Sequence, residues 1–228
     1  MPVELCVFDA YGTLFDVAAA ARRFAAEPGR EGIAERWPRL AELWRLKQLQ
    51  YTWLRATAGV HTDFETVTRD GLDWAAEAVG GLTAADKAAL MALYRRLDAY
   101  PEVPEMLSAL EAQGRATAIL SNGTPAMLAD AVESAGIGDR LDAVLSVESV
   151  GRFKPAPEVY GLVARRFGVP AGRVLFVSSN GWDAAAATGY GFRTLWANRA
   201  GEPADRLPWR PEHVASDLTG VPALAESL

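Results

Sequence analysis

Val3-Glu4-Leu5-Cys6-Val7-Phe8-Asp9-Ala10-Tyr11-Gly12-Thr13 passes from buried-strand chemistry to turn chemistry within a few residues. Its first half is a short apolar run, and Asp9 and Gly12 close it with residues that favour turns. Working outward, similar apolar runs recur at Ala116–Leu120, Ala143–Val147, Val174–Val177 and Thr194–Ala197. Between them lie helical patterns at Pro104–Gln113, Pro125–Ala135 and Pro157–Phe167. Each has proline near its start and a glycine (Gly114, Gly136, Gly168) just past its end. Strands alternating with single helices predict right-handed crossovers, hence an α/β fold with a parallel sheet and helices on both faces.

The stretch 16–100 breaks this rhythm. It contains no convincing strand and reads as helices over Val17–Ala26, Pro38–Ala58, Phe64–Val79 and Ala84–Tyr100, the last opened by a Thr83/Asp86 capping box. An all-helical block after the first strand predicts an inserted cap domain of residues 16–100 on a core domain of 1–15 and 101–228. Trp37, Trp44, Trp53 and Trp74 are expected to pack the cap, with Trp44 towards the core. The Gly, Pro and Arg cluster of Arg199–Pro211 reads as a surface loop.

Composition excludes several classes. The chain has 228 residues, enough to bury a core without staples. Its single cysteine, Cys6, rules out an internal disulfide or a CxxC zinc site and fits a reducing, cytoplasmic location. Met1–Phe8 shows neither a basic leader nor a spanning segment, so no membrane association is expected. A net charge of −6 and a pI near 5.1 argue against nucleic-acid partners and confine any anion site to a small place. Twenty basic residues are Arg and only three are Lys (Lys47, Lys87, Lys154), so a lysine can mark a position that needs a compact ammonium.

In an open parallel sheet, ligands bind beyond the carboxyl ends of the strands. Those ends carry Asp9-Ala10-Tyr11-Gly12-Thr13, Ser121-Asn122-Gly123-Thr124, Gly151-Arg152-Phe153-Lys154-Pro155 and Ser178-Ser179-Asn180-Gly181-Trp182-Asp183. Taken singly, each has a plain reading. Asp9 is a turn residue as readily as a nucleophile; Thr13, Ser121, Ser178 and Asp183 are helix caps, and Lys154 is a solvated charge. Together they place two carboxylates, an ammonium and several hydroxyls on one rim, which suits an ionised carboxylate nucleophile. Tyr160, six residues beyond Lys154, is expected to support the lysine by a hydrogen bond or to pack the core. Cys6 reads as core, and His61 and His213 have no partners at ligand spacing.

These four segments, in this order and with a helical cap inserted after the first, resemble the haloacid dehalogenase superfamily along the whole chain. The resemblance implies a Rossmann-like core with a helical cap. Most superfamily members are magnesium phosphatases whose first motif is Asp-x-Asp; here Tyr11 replaces the second Asp. The fourth motif offers Asp183 without a carboxylate neighbour, so metal ligands are lacking. Phe8–Asp16 is instead similar to the L-2-haloacid dehalogenase branch. So are Leu43-Trp44-Arg45-Leu46-Lys47-Gln48-Leu49-Gln50-Tyr51-Thr52-Trp53-Leu54 in the cap, Ser121-Asn122-Gly123 and Ser178–Asp183. Leu46 and Gln50 depart from that branch, which often carries Gln and Glu there.

The resemblance implies hydrolysis of a short (S)-2-haloacid to an (R)-2-hydroxy acid and halide, with no metal or cofactor and with a homodimeric enzyme. Asp9 attacks C2 and forms an ester; Arg45, Asn122 and Trp182 receive the halide. Ser121 and the backbone amides of Ala10, Tyr11 and Asn122 hold the substrate carboxylate. Asp183 activates water against the ester, with Thr13, Lys154, Ser178 and Asn180 as orienting groups. Tyr11, Leu49 and Phe64 form an apolar wall, and Tyr160 is grouped with the substrate-contacting residues. Alternatives are a dehalogenase specialised for haloacetate or fluoroacetate, a phosphatase-like or phosphonatase-like hydrolase, and a non-catalytic binder of small acids.

Overall fold

The computed structural model describes residues 2–28 and 30–228, so Met1 of the expected first core segment lies outside it. Six strands form one sheet in the order β3-β2-β1-β4-β5-β6, with every neighbouring pair parallel. They are β1 (Leu5–Phe8), β2 (Ala116–Ser121), β3 (Ala143–Ser146), β4 (Val174–Ser178), β5 (Arg193–Ala197) and β6 (His213–Ala215). β1 and β4 lie at the centre and are buried throughout, as their unbroken apolar runs require of strands covered on both faces. The order reverses between β1 and β4, where β1 meets a strand that follows it only after β2 and β3. Such a reversal opens a crevice at the carboxyl ends, and Asp9 and the Ser178–Asp183 segment both emerge into it.

In chain order the helices are α1 (Val17–Ala25), α2 (Glu31–Ala34), α3 (Trp37–Ala58), α4 (Phe64–Val79) and α5 (Ala84–Tyr94). These are followed by α6 (Val103–Ala112), α7 (Pro125–Ala135), α8 (Pro157–Phe167), α9 (Gly181–Tyr190) and α10 (Val221–Ser227). α4, α7 and α8 match the sequence reading. The Thr83/Asp86 capping box is present on α5. However, α5 ends at Tyr94 and not at Tyr100, because Asp98–Tyr100 is drawn into contact with the segment leaving β1. Phe15 bridges Ala99 antiparallel, Asp16 N–H donates to Asp98 O and Tyr100 N–H to Leu14 O, both at 2.9 Å. The chain therefore enters and leaves the helical block through one short paired ribbon. β6, α2, α9 and α10 were not anticipated. β6 is three residues at a sheet edge, α2 is one turn, and α9 is rich in Ala and Gly with little apolar periodicity.

Within the cap, α3 and α4 form the main pair. Trp44 Nε1 donates to Thr68 O and Gln48 Nε2 to Thr68 Oγ1, each at 2.8 Å. Gly71 permits this approach, since a Cβ there would lie 3.2 Å from Gln48 N. Trp44 is buried and Trp37 partly so, but Trp53 and Trp74 stand more than a third exposed, contrary to the expectation that all four pack the bundle. The 199–211 loop is present as read, although Arg199 at its start is tied into the core.

Candidate active site

The turn after β1 sets the geometry of Asp9. Asp9 N–H continues the sheet by donating to Val177 O, and then Thr13, Leu14 and Phe15 N–H all converge on Ala10 O. This tight turn needs Gly12 at φ 84°, where a side chain would also press on Ser179 Oγ. Its result is that the Asp9 carboxylate, 7% exposed, faces the crevice with three donors around it. Lys154 Nζ donates to Oδ1 at 3.0 Å; Thr13 Oγ1 at 3.0 Å and Asn180 Nδ2 at 3.1 Å reach Oδ2.

Lys154 is 1% exposed and shared. Its ammonium also donates to Asp183 Oδ2 at 2.8 Å, while Tyr160 O–H donates to Asp183 Oδ1 at 2.7 Å. Burial alone would favour the neutral amine, but Asp183 and Asp9 outweigh it and hold the lysine above its ordinary value. For Asp183, burial pushes the carboxyl upward against the pull of Lys154. Tyr160 is raised well above the phenol range by burial and then by the charge of Asp183. A carboxylate, ammonium, carboxylate array is thus assembled from β1, the loop before α8, and the first turn of α9. Asp183 is the third residue of α9 and not its cap; Asn180 holds the cap position.

Arg45 enters from the cap. It donates to Gln48 Oε1 and to Asn180 Oδ1, both at 2.8 Å, so a chain of hydrogen bonds runs from the cap through Asn180 to Asp9. On the β2 side, Asn122 Oδ1 accepts from Lys154 N–H at 3.0 Å, and buried Ser121 Oγ accepts from Gly123 N–H at 3.1 Å. Gly123 leaves room for the Tyr11 ring, since a Cβ there would approach Tyr11 Cε2 to 2.9 Å. Tyr11 packs on Phe64 at 6.0 Å between centroids, and Phe64 on Phe153 at 6.2 Å. Trp182 meets Trp53 edge-on at 5.4 Å, and its Nε1 is buried without a hydrogen-bond partner among the described residues.

Two placements correct the sequence reading. Tyr160 bonds Asp183 and not Lys154, because α8 carries its hydroxyl past the ammonium to the far carboxylate, and it is buried there. Ser178 Oγ accepts from Asn180 N–H at 3.1 Å and shapes the turn, whereas its neighbour Ser179 lies 3.0 Å from Thr13 Oγ1 and gives it a backbone donor at 2.8 Å. Leu49 is half-buried on α3, and Phe153 joins Tyr11 and Phe64 in the aromatic wall. Sequence reasoning also missed Gln48, Ser179 and Arg199, whose guanidinium donates to Thr13 O at 2.9 Å, pairs with Glu102 at 2.7 Å and lies 3.7 Å over the Tyr100 ring. His61, given no role, pairs with Glu148 at 3.0 Å, and Glu148 also accepts from Phe64 N–H at 3.3 Å. Ser179 stands inside the quoted fourth segment and was open to view; Glu148 and Arg199 had no motif to mark them.

The model for haloacid dehalogenase-like hydrolases matches residues 3–191. (S)-2-haloacid dehalogenase 1 of Pseudomonas sp. strain CBS-3 is 41% identical over 224 residues, covering 98% of this chain and 96% of that protein. A crystal structure of an L-2-haloacid dehalogenase, RSc1362, superposes with a TM-score of 0.92 at 42% identity, covering 99% of both chains. The L-2-haloacid dehalogenase of Xanthobacter autotrophicus, solved with chloropropionic acid covalently bound, gives 0.89 at 34% identity over 99% of both. With the parallel sheet, the inserted helical cap and the Asp9 crevice all in place, the chain belongs to the haloacid dehalogenase-like hydrolase family.

Proposed function

We propose that this protein hydrolyses short-chain 2-haloacids, converting an (S)-2-haloacid and water into an (R)-2-hydroxy acid and halide. The observation that carries this reading is the Asp9 carboxylate, paired with a buried ammonium and linked through Asn180 to the cap-borne Arg45. Asp9 attacks C2 from the side opposite the halogen; the carbon–halogen bond breaks and the halide leaves with its electron pair. Arg45, Asn122 and Trp182 stabilise the departing anion. The buried, unpartnered indole N–H of Trp182 supports this, because an unsatisfied donor costs about 1–3 kcal/mol and a halide would satisfy it. Ser121 and the N–H groups of Ala10, Tyr11 and Asn122 take the substrate carboxylate, and Tyr11, Phe64 and Leu49 flank its alkyl group.

Water then adds to Cγ of Asp9, giving a proton to Asp183; as the adduct collapses, Asp183 returns that proton to the leaving C2 oxygen, the hydroxy acid departs with an oxygen that belonged to Asp9, and the regenerated Asp9 carboxyl releases the second water proton to solvent. One inversion at C2 results. Thr13, Lys154 and Asn180 orient the two carboxylates, with Ser178 shaping the turn that presents Asn180 and Tyr160 holding Asp183 from behind. Tyr11 at the position of a phosphatase's acid, and a fourth segment that offers Asp183 without a second carboxylate, favour this chemistry over phosphate-ester hydrolysis. Residues 16–100 serve as the cap and 1–15 with 101–228 as the core. A homodimer is the expected assembly. No described helix is long and apolar enough to cross a membrane.

A single turnover with enzyme in excess in H2¹⁸O tests the mechanism. The hydroxy acid is expected to carry unlabelled oxygen while the label enters Asp9, and Asp9→Asn is expected to release no halide. Label in the first product would show direct attack by water, and absence of halide release from every short 2-haloacid would overturn the reading.

A further inference from the structure

Arg199, in the loop after β5, directs its guanidinium at the turn that presents Asp9. Its base is anchored: the neighbouring Asn198 N–H donates to Ala215 O at 2.7 Å, and the Asn198 side chain exchanges two hydrogen bonds with the Glu202 backbone, each at 2.9 Å. From there a single nitrogen, Nη2, donates to Thr13 O at 2.9 Å and pairs with Glu102 Oε1 at 2.7 Å, while Cζ lies 3.7 Å over the Tyr100 ring. Three segments therefore fix one guanidinium. Thr13 is fully buried, and among the described residues Arg199 is the one donor to its carbonyl. A buried carbonyl must be paired, so without the guanidinium this peptide has to turn or admit water. The hydroxyl of the same residue accepts from Ser179 N–H at 2.8 Å and donates to Asp9 Oδ2 at 3.0 Å.

We propose that Arg199 is a positioning residue for the Asp9 nucleophile: by holding the Thr13 peptide it keeps the Thr13 hydroxyl on Oδ2 and the carboxylate in one orientation. The proposal rests on Asp9 as the nucleophile. Misplacing a reacting atom by about 1 Å can cost roughly 100-fold in rate, and such a loss falls on kcat because the groups that bind substrate stand elsewhere. Glu102 separates this role from one in stability alone. In Glu102→Gln the charge pairing goes, but an amide oxygen still accepts from Nη2 and the donation to Thr13 O stays.

The test measures halide release from (S)-2-chloropropionate. In Arg199→Gln, kcat is expected to fall at least about tenfold with KM within threefold of wild type; in Glu102→Gln, kcat is expected to stay within threefold. A smaller fall in Arg199→Gln, a KM outside that range, or a larger fall in Glu102→Gln overturns the proposal. If Arg199→Gln does not fold, Arg199→Lys takes its place under the same limits, since an ammonium on a shorter stem keeps the charge for Glu102 without the reach to both acceptors. A second readout needs no turnover: hydrogen exchange at the Ser179 amide, which reports the Thr13 hydroxyl. It is expected to quicken about tenfold in the Arg199 variant, with the Val7 amide of β1 unchanged. Unchanged exchange at Ser179, or equal acceleration at Val7, overturns the positioning. Faster exchange confined to Ser179, in a protein whose wild type releases no halide from any short 2-haloacid, would sink the proposed reaction and leave Arg199 holding the Asp9 turn.

Discussion

Lys154 shows most clearly what a single residue contributes. In a chain that otherwise relies on arginine, it is the lysine that is almost wholly buried, with its ammonium between Asp9 and Asp183 and 5.0 Å from the Phe176 ring. A guanidinium would keep the charge, but its planar fork cannot occupy a site shaped for one point charge with acceptors at 3.0 and 2.8 Å. Lys154→Arg is therefore expected to retain native circular dichroism and lose at least 100-fold in kcat, measured by halide release. Asp9 was legible in the sequence because it is the first polar residue after an apolar strand, and Asn122, Asn180 and Asp183 because they fall within five residues of the end of one. Tyr160 was half legible: its spacing from Lys154 was right, but which partner its hydroxyl meets depends on how α8 is rotated, and no local pattern encodes that.

At the scale of elements, α4 begins against the core and not merely within the cap. Asp63 caps it locally by accepting from Thr66 N–H at 2.8 Å, and Glu148, from the segment after β3, accepts from Phe64 N–H and from His61. One core carboxylate thus fixes where the Phe64 ring stands beside Tyr11. Glu148→Ala removes an acceptor at a helix start, a change that costs about 0.5–2 kcal/mol. It is expected to raise KM for a 2-haloacid severalfold with a smaller change in kcat, and Glu148→Gln, which keeps an acceptor oxygen, is expected to restore most of the loss. This contact was invisible beforehand because Glu148 and His61 are 87 residues apart and neither lies in a motif. By contrast, α4, α7 and α8 were readable to their ends, since proline, capping side chains and terminal glycines are local signals. β6 and α9, stabilised mainly by their neighbours, were not.

For the whole molecule, the buried groups make an alkaline limit to stability. Cys6, in the central strand, has its thiol pushed up to about 12 by burial, and Lys154 is held above its ordinary value. Both shifts are upward, so both favour the protonated form in the folded state. Their contribution is complete below the unfolded values, near 8.5 for Cys and 10.4 for Lys, and is lost as pH rises through the folded ones. Urea midpoints are expected to decline between pH 9 and 12, and less steeply in Cys6→Ala. The architecture itself was legible because alternating strand and helix runs admit few topologies. The position of the cap over the crevice was not, since it depends on contacts such as Arg45 with Asn180 and Arg152 with Ala56 O.

The ribbon that joins Leu14–Asp16 to Asp98–Tyr100 has a consequence for how such a chain can be rebuilt. Because the helical block leaves and returns at a single bridged point, Phe15 against Ala99, its removal or replacement leaves the two cut ends already side by side. A short turn could close the gap without disturbing the order of the sheet. To the core, the cap is one long hairpin loop, and exchanging it for another insert would be a local splice that alters what reaches Asp9 while leaving the strand that leads to it intact.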